Sequence, residues 1–254
     1  MMKLDAKTVI ITGAAQGLGF AIADRLAKQG VNLALIDLNE ESLELAVEKL
    51  SENNVVVRSY CCNIADETQV VSSFEKILED FGAIDGLVNN AGITRDQLLV
   101  KAKDGEVVDT MSLRNWQQVI DVNLTGVFLC GREAAKHMIA QKTAGVIINI
   151  SSISRHGNVG QSNYAAAKAG VAALTTTWAK ELARYKIRSA AIAPGFIATE
   201  MTQAIKPQIL DKIRQSIPLG DMGQPDNIAS TVQFILENDY ISGRVIEVDG
   251  ALRL

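Results

Sequence analysis

The sequence predicts a doubly wound α/β fold, a seven-stranded parallel sheet with helices on both faces, and three observations carry that expectation. Short β-branched runs alternate with helical periods along the whole chain. Those runs stay apolar at successive positions, as strands covered on both sides require, instead of alternating apolar with polar. No composition break marks a linker in the 254 residues, so one domain over 1–254 is expected.

Thr8–Thr12 (TVIIT) opens the series and ends at Gly13, and Leu18–Lys28 then carries its apolar residues at the helical period. The unit recurs as Val31–Asp37 with Glu41–Leu50, Val55–Tyr60 with Glu67–Phe81, and Gly86–Asn89 with a long helix around Arg114–Ala140. Strand Val146–Ile150, helix Tyr164–Leu182, strand Arg188–Ala193, helix Pro225–Glu237 and strand Val245–Val248 complete the alternation. Two stretches interrupt it. Arg95–Leu113 is polar with a Lys103-Asp104-Gly105 turn signal, and Phe196–Gly223 is a long connection. Both follow the carboxyl end of a strand, where open α/β sheets place their ligands, and function is favoured for the second.

Composition narrows the function classes. With 48% hydrophobic and 21% charged residues the chain is no disordered segment. Net charge is -4 with Lys and Arg scattered, so the basic footprint of a nucleic-acid binder is missing. No apolar run reaches the length of a membrane span, and the Met-Met-Lys-Leu-Asp start carries no signal-peptide stretch, so a cytoplasmic protein is expected. Cys61 and Cys62 are adjacent and Cys130 is far off, which fits neither a disulfide framework nor a zinc spacing; they read as small core residues, and no metal is expected. Only His137 and His156 are available as imidazoles, and His137, beside Lys136 in a helical run, reads as a surface residue.

Gly13, Gly17 and Gly19 lie in TGAAQGLG between the first strand and the first helix. A tight turn there lets the backbone approach a pyrophosphate whose charge the helix N-terminus stabilises, the Rossmann arrangement. Asp37 closes the second strand, where an acid can hydrogen-bond a ribose 2′-hydroxyl. A 2′-phosphate held ~4 Å from that carboxylate would meet ~4 kcal/mol of repulsion per unit charge at an effective dielectric of 20. Gln16 in the turn and Leu38 after Asp37 cannot offset it, so NAD(H) is preferred over NADP(H). A helix N-cap role for Asp37 is the rival reading, but Asn39 is better placed for it.

TGAAQGLG, NNAG (Asn89–Gly92), NISS (Asn149–Ser152), YAAAK (Tyr164–Lys168) and Pro194-Gly195 follow one another in the order and spacing of the short-chain dehydrogenase/reductases. The chain resembles that family over essentially its whole length. Within it, NNAGITRD (Asn89–Asp96), GQSNYAAAKAG (Gly160–Gly170, with Gln161) and APGFIATEMT (Ala193–Thr202) are similar to the 3-oxoacyl-[acyl-carrier-protein] reductase branch.

Tyr164 and Lys168 are four apart and share a helix face. The Lys168 ammonium and a bound oxidised nicotinamide would both favour tyrosinate, lowering the phenol pKa and making Tyr164 a general acid–base. Ser152, at the mouth of Val146–Ile150, can hydrogen-bond the substrate oxygen as charge develops. The Ser152 to Tyr164 interval is one residue short of the family's usual one, which Ser151 would satisfy. Strand register favours Ser152, because a loop such as Ile153–Gly157 absorbs a deletion more easily than a strand. The resemblance makes Asn123 the residue that holds a water linked to the lysine. It also implies that the glycine turn, Leu18 included, holds the cofactor, that Asn63 and Ile64 flank its adenine, and that Asn90, Ala91 and Gly92 line its adenosine side. By the same resemblance Ile197 and Thr199, after Pro194 and Gly195, meet its nicotinamide amide and phosphates. A further departure is the polar stretch near Asp104–Ser112, longer than the branch normally carries.

Helix Tyr164–Leu182 is apolar almost all round, so one face needs burial beyond the sheet. The family commonly forms tetramers through this helix, its neighbour and the C-terminal strand, which Ile246–Leu254 suits, so a homotetramer is expected. The resemblance implies an NADH-dependent reductase of 3-oxoacyl thioesters carried on acyl carrier protein or coenzyme A. The alternative is a dehydrogenase of another secondary alcohol. Arg155, Lys142, Arg184 and Lys186 are candidates for a basic patch facing an acidic carrier.

Overall fold

The computed structural model describes residues 2–199 and 207–253. Seven strands form one parallel sheet: β1 (Thr8–Thr12), β2 (Asn32–Asp37), β3 (Val57–Cys61), β4 (Gly86–Asn89), β7 (Gly145–Ile150), β8 (Ile187–Pro194) and β9 (Val245–Val248). Their order is β3-β2-β1-β4-β7-β8-β9. The winding reverses between β1 and β4, which opens a crevice at the carboxyl ends of those strands.

Continuous apolar strands are explained by two cores that share one sheet. Val9, Ile11, Leu33, Leu35, Val146 and Ile148 point to one face, beneath α1 (Gly17–Ala27), α2 (Glu40–Leu50) and α8 (Pro225–Glu237). Ile10, Ala34, Ile36 and Ile147 point to the other, beneath α3 (Glu67–Phe81), α5 (Val127–Ala140) and α6 (Ser162–Glu181). A strand with period-two geometry needs apolar residues at both parities to face two such layers.

Caps set the helix starts. Asn39 accepts the Ser42 N–H at the head of α2, Asp66 the Gln69 N–H at α3, and Ser112 the Asn115 N–H at α4 (Leu113–Ile120). Asn39 therefore takes the capping role and leaves Asp37 outside it.

Five expectations are corrected. The long helix around Arg114–Ala140 is interrupted: a π-helical turn, Asp121–Gly126, separates α4 from α5. The buried side chain of Asn123 and the close approach of Gly126 to Ile64, which leaves no room for a Cβ, shape that turn. Within Arg95–Leu113, β5 (Val100–Lys103) and β6 (Glu106–Thr110) form an antiparallel hairpin, closed at Asp104 and Gly105 with φ of 54° and 85°. Asp-Gly with both residues at positive φ is the favoured two-residue hairpin turn. The Phe196–Gly223 connection contains helix α7 (Pro207–Ser216), seated by Leu210 and Ile213 on a small cluster of Ile153, Ile217, Met222 and Leu252. His137 is buried on α5, not on the surface, and of the cysteines Cys61 is exposed while Cys62 and Cys130 are in the core.

Candidate active site

A cavity of about 640 Å³ occupies the crevice predicted by the strand order, and every residue proposed for the site from the sequence lines it except Gly19 and Asn123. The part of APGFIATEMT beyond Thr199 lies outside the described residues.

The floor is the turn after β1. Gly13 and Gly17 hold φ of 64° and 56°, and a Cβ on Gly13 would fall 2.8 Å from the Ala91 Cα. A Cβ on Gly17 would meet nothing within 4 Å, so this glycine bares the backbone to the crevice. Gly19 does a different job from the one expected: a Cβ there would lie 2.0 Å from the Gly13 carbonyl oxygen, so it lets α1 close on the turn from behind. The Thr12 hydroxyl accepts the N–H groups of Asn90 and Ala91 at 3.0 and 3.1 Å, and Asn90 Nδ2 donates to the carbonyls of Thr12 and Gly13 at 3.0 Å. The two loops at the switch point thus form one rigid wall.

Asp37 stands at the end of β2. Its Oδ2 accepts the Ala15 N–H at 3.1 Å and its Oδ1 the Leu38 N–H at 2.7 Å, which aims the carboxylate across the turn. Leu38, 64% exposed, and Ile64 offer an apolar slot beside it, suited to a flat base. Asn63 keeps its side chain local, its Oδ1 accepting the Ala65 N–H at 3.1 Å.

At the other end lie the candidate reacting groups. Ser151 and Ser152 diverge because extended backbone sends consecutive side chains to opposite sides. Ser151 Oγ donates to the Lys168 carbonyl at 2.9 Å. Ser152 Oγ accepts the Ser154 N–H at 3.1 Å and lies beside the Tyr164 hydroxyl at the lining of the crevice. Lys168 is 3% exposed, donates from Nζ to the Ile150 carbonyl at 2.7 Å and lies 5.6 Å from the Tyr164 ring centre. Burial pulls its ammonium down to about 8.

The lowering of the Tyr164 pKa expected from the sequence joins Lys168 to a bound oxidised nicotinamide, and the protein by itself sets the opposite direction. Burial pushes the phenol above its ordinary value, the neighbouring Ser152 hydroxyl opposes that rise, and the Asp96 charge adds to it. Asn123 fastens the crevice wall to the π-helical turn: its Oδ1 accepts the Ile93 N–H at 2.8 Å and its Nδ2 donates to the Ile93 carbonyl at 2.9 Å.

Sequence reasoning left out one polar chain. Asn158 Nδ2 donates to Gln161 Oε1 at 3.0 Å, and Gln161 Nε2 to Asp96 Oδ2 at 2.9 Å, along the wall beside Tyr164. Position is the available signal: Asp96 follows the carboxyl end of β4, and Gln161 sits three residues before Tyr164.

A family model described as "Enoyl-(Acyl carrier protein) reductase" matches residues 13–252. The chain belongs to the short-chain dehydrogenase/reductase family. It is 41% identical over 254 residues to the 3-oxoacyl-[acyl-carrier-protein] reductase FabG of Thermotoga maritima, covering 99% of both chains. It is 40% identical to the enzyme of that name from Staphylococcus aureus (97% of this chain, 98% of the other). The Synechocystis 3-oxoacyl-[acyl-carrier-protein] reductase is 41% identical, with 99% of each chain covered. Among solved structures, a short-chain dehydrogenase/reductase from Mycobacterium marinum superposes with a TM-score of 0.90 at 30% identity (98% and 96% covered). An NAD+-bound xylitol dehydrogenase superposes with a TM-score of 0.88 at 29% identity (98% and 100% covered).

This family is one of oxidoreductases that use a nicotinamide cofactor, and the crevice fits such a group. The bared backbone at Gly17, the carboxylate of Asp37 and the apolar slot at Leu38 match, in order, a diphosphate, a ribose diol and a flat base.

Proposed function

We propose that the chain is an NAD(H)-dependent reductase of 3-oxoacyl thioesters, interconverting the C3 carbonyl and a (3R)-hydroxyl. The gathering of Ser152, Tyr164 and Lys168 on a crevice that fits a nicotinamide cofactor supports this most directly, together with full-length likeness to proteins named 3-oxoacyl-[acyl-carrier-protein] reductase. A bound nicotinamide supplies the hydride. Ser152 donates to the carbonyl oxygen as negative charge gathers there. Tyr164, kept protonated by burial, gives its proton to that oxygen. Lys168, against the tyrosine ring, stabilises the tyrosinate left behind. Asn123 holds the Ile93 wall in place.

Cofactor choice follows from charge. Among the described residues that line the crevice, Lys168 is the sole cation and belongs to the tyrosine end, so nothing near Asp37 offsets its repulsion of a 2′-phosphate. A second reading, an NAD-dependent dehydrogenase of another secondary alcohol, is favoured by Asp37 and by likeness to the NAD+-bound xylitol dehydrogenase.

The working form we propose is a single-domain cytoplasmic homotetramer acting on acyl carrier protein or coenzyme A thioesters. Ala166, Ala169, Ala173 and Thr177 leave the outer side of α6 exposed and fine-grained, suited to a second helix at close range. Among the described residues no helix is long and apolar enough to cross a membrane.

The test is cofactor oxidation by the purified protein with acetoacetyl-coenzyme A, an acetoacetyl carrier protein, crotonyl-coenzyme A and xylulose, each with NADH and NADPH. Turnover of the 3-oxoacyl thioesters with NADH is expected; turnover of xylulose or crotonyl thioester alone rejects the proposal. Tyr164→Phe is expected to lower kcat by about 10²–10⁴ with NADH binding retained.

A further inference from the structure

Arg155 is the residue whose structural position departs most from what its charge suggested. As a candidate for an exposed basic patch it ought to be solvated, yet its side chain is 11% exposed and both terminal nitrogens are engaged. Nη1 donates to the Ser152 carbonyl at 3.1 Å, and the Arg155 backbone N–H donates to the same oxygen at 3.2 Å. Nη2 pairs with Oε1 of Glu247 on β9, across the sheet edge. Glu247 is held in turn by Arg253, whose Nη2 is 3.1 Å from its Oε2, and it faces His156 Nε2 at 3.7 Å.

Packing repeats the link. Ile153, the residue after Ser152, is buried with Leu252 and Ile217, so the short 3-10 turn Ile153–His156 rests on the C-terminal segment by an apolar contact as well as an ionic one. β9 is itself registered to β8, with Glu247 opposite Ala193, immediately before the Pro194–Gly195 lining of the crevice.

We infer that Arg155 is a positioning residue for the reaction: with Glu247 it clamps the Ser152 turn to the C-terminal strand and so fixes the serine hydroxyl against Tyr164. The inference rests on the proposed roles of Ser152 and Tyr164. A planar guanidinium can serve the Ser152 carbonyl and the Glu247 carboxylate at once, which the single ammonium of a lysine does less well. On its other side the turn is held through Ser151, whose N–H donates to the Ile192 carbonyl at 2.7 Å and whose Oγ donates to the Lys168 carbonyl at 2.9 Å, so the clamp fixes the side that these bonds leave to the 3-10 turn.

The experiment measures kcat, KM, NADH affinity and the pH profile for Arg155→Met, Arg155→Lys, Glu247→Gln and Ser152→Ala, with acetoacetyl-coenzyme A as substrate. Arg155→Met is expected to lower kcat by about 10- to 100-fold, as a displacement of the order of 1 Å at a reacting group does. Its NADH affinity stays near wild type. The alkaline limb of its kcat profile moves to higher pH, because a loosened Ser152 no longer lowers the Tyr164 pKa. Arg155→Lys recovers part of the loss, and Glu247→Gln shows the same two changes in weaker form. Wild-type kcat and an unmoved limb in Arg155→Met overturn the clamp. If that variant does not fold, Glu247→Gln decides by the same readouts, and wild-type behaviour there overturns it. Full turnover in Ser152→Ala removes the reading of the site itself, whereas an inactive Ser152→Ala beside a fully active Arg155→Met removes the clamp alone.

Discussion

Ser151 Oγ donates to the Lys168 carbonyl at 2.9 Å, while the adjacent Ser152 turns the other way and lies beside the Tyr164 hydroxyl. One strand end therefore gives two serines with separate tasks, and substitution separates them. Ser152→Ala is expected to lower kcat by about 10²–10³, the effect of deleting one donor to a developing oxyanion. Ser151→Ala is expected to keep most of kcat and to lose about 1 kcal/mol of stability, the net worth of one hydrogen bond. Steady-state kinetics and urea unfolding of both variants check this.

Lys168 makes stability depend on pH in a defined direction. Its folded pKa of about 8 lies below the ordinary lysine value of 10.5, so between those limits the unfolded chain binds the extra proton. Stability contributed by this group is therefore absent below about pH 8 and rises with pH through that window, at most about 1.4 kcal/mol per unit. Tyr60, Tyr164, Cys62 and Cys130 have raised pKa values and oppose the rise at higher pH, so the comparison is with Lys168→Met. Urea unfolding from pH 7.5 to 9.5 is expected to show wild type gaining on the variant as pH increases.

The proposed preference for NAD(H) rests on Asp37, which also accepts the Ala15 N–H, so Asp37→Asn, which keeps an acceptor and removes the charge, is the informative change. Repulsion of ~4 kcal/mol per unit charge before screening is large enough that the NADH over NADPH ratio in kcat/KM should fall by at least about tenfold. An unchanged ratio would show that charge at this position does not set the preference.

Gln97 ties the hairpin to the body. Its Nε2 donates to Asp109 Oδ2 at 3.1 Å, its Oε1 accepts from Ser112 N and Asn115 Nδ2, and its N–H donates to the Gly160 carbonyl. Every residue of β5 and β6 is exposed, so no core holds the ribbon. Gln97→Ala is expected to speed hydrogen exchange across Val100–Thr110 by at least about tenfold, with melting temperature nearly unchanged.

The readings that succeeded and failed divide along a physical line. TVIIT and VIINI declared themselves as strands because each residue meets one of two apolar layers, and YAAAK declared a helix face because four residues make one turn. The hairpin did not, since both its faces are wet and its residues carry no periodic apolar signal beyond the Asp104-Gly105 turn. His137 was misplaced because neighbours in sequence suggested a charged surface, whereas the packing of α5 against the sheet and α3 settles its burial.

By itself the sequence determined the sheet, its seven strands and the set of residues that meet at the carboxyl ends of β1, β2, β4, β7 and β8, because local period and strand order depend on nearby residues and simple topology. Only the tertiary structure decided which serine faces Tyr164, that Asn123 fastens the Ile93 wall, and that Arg155 joins the serine turn to Glu247 instead of facing solvent. Those outcomes depend on hydrogen-bond partners 17 to 92 residues away, and no local pattern encodes a donor's choice among distant acceptors.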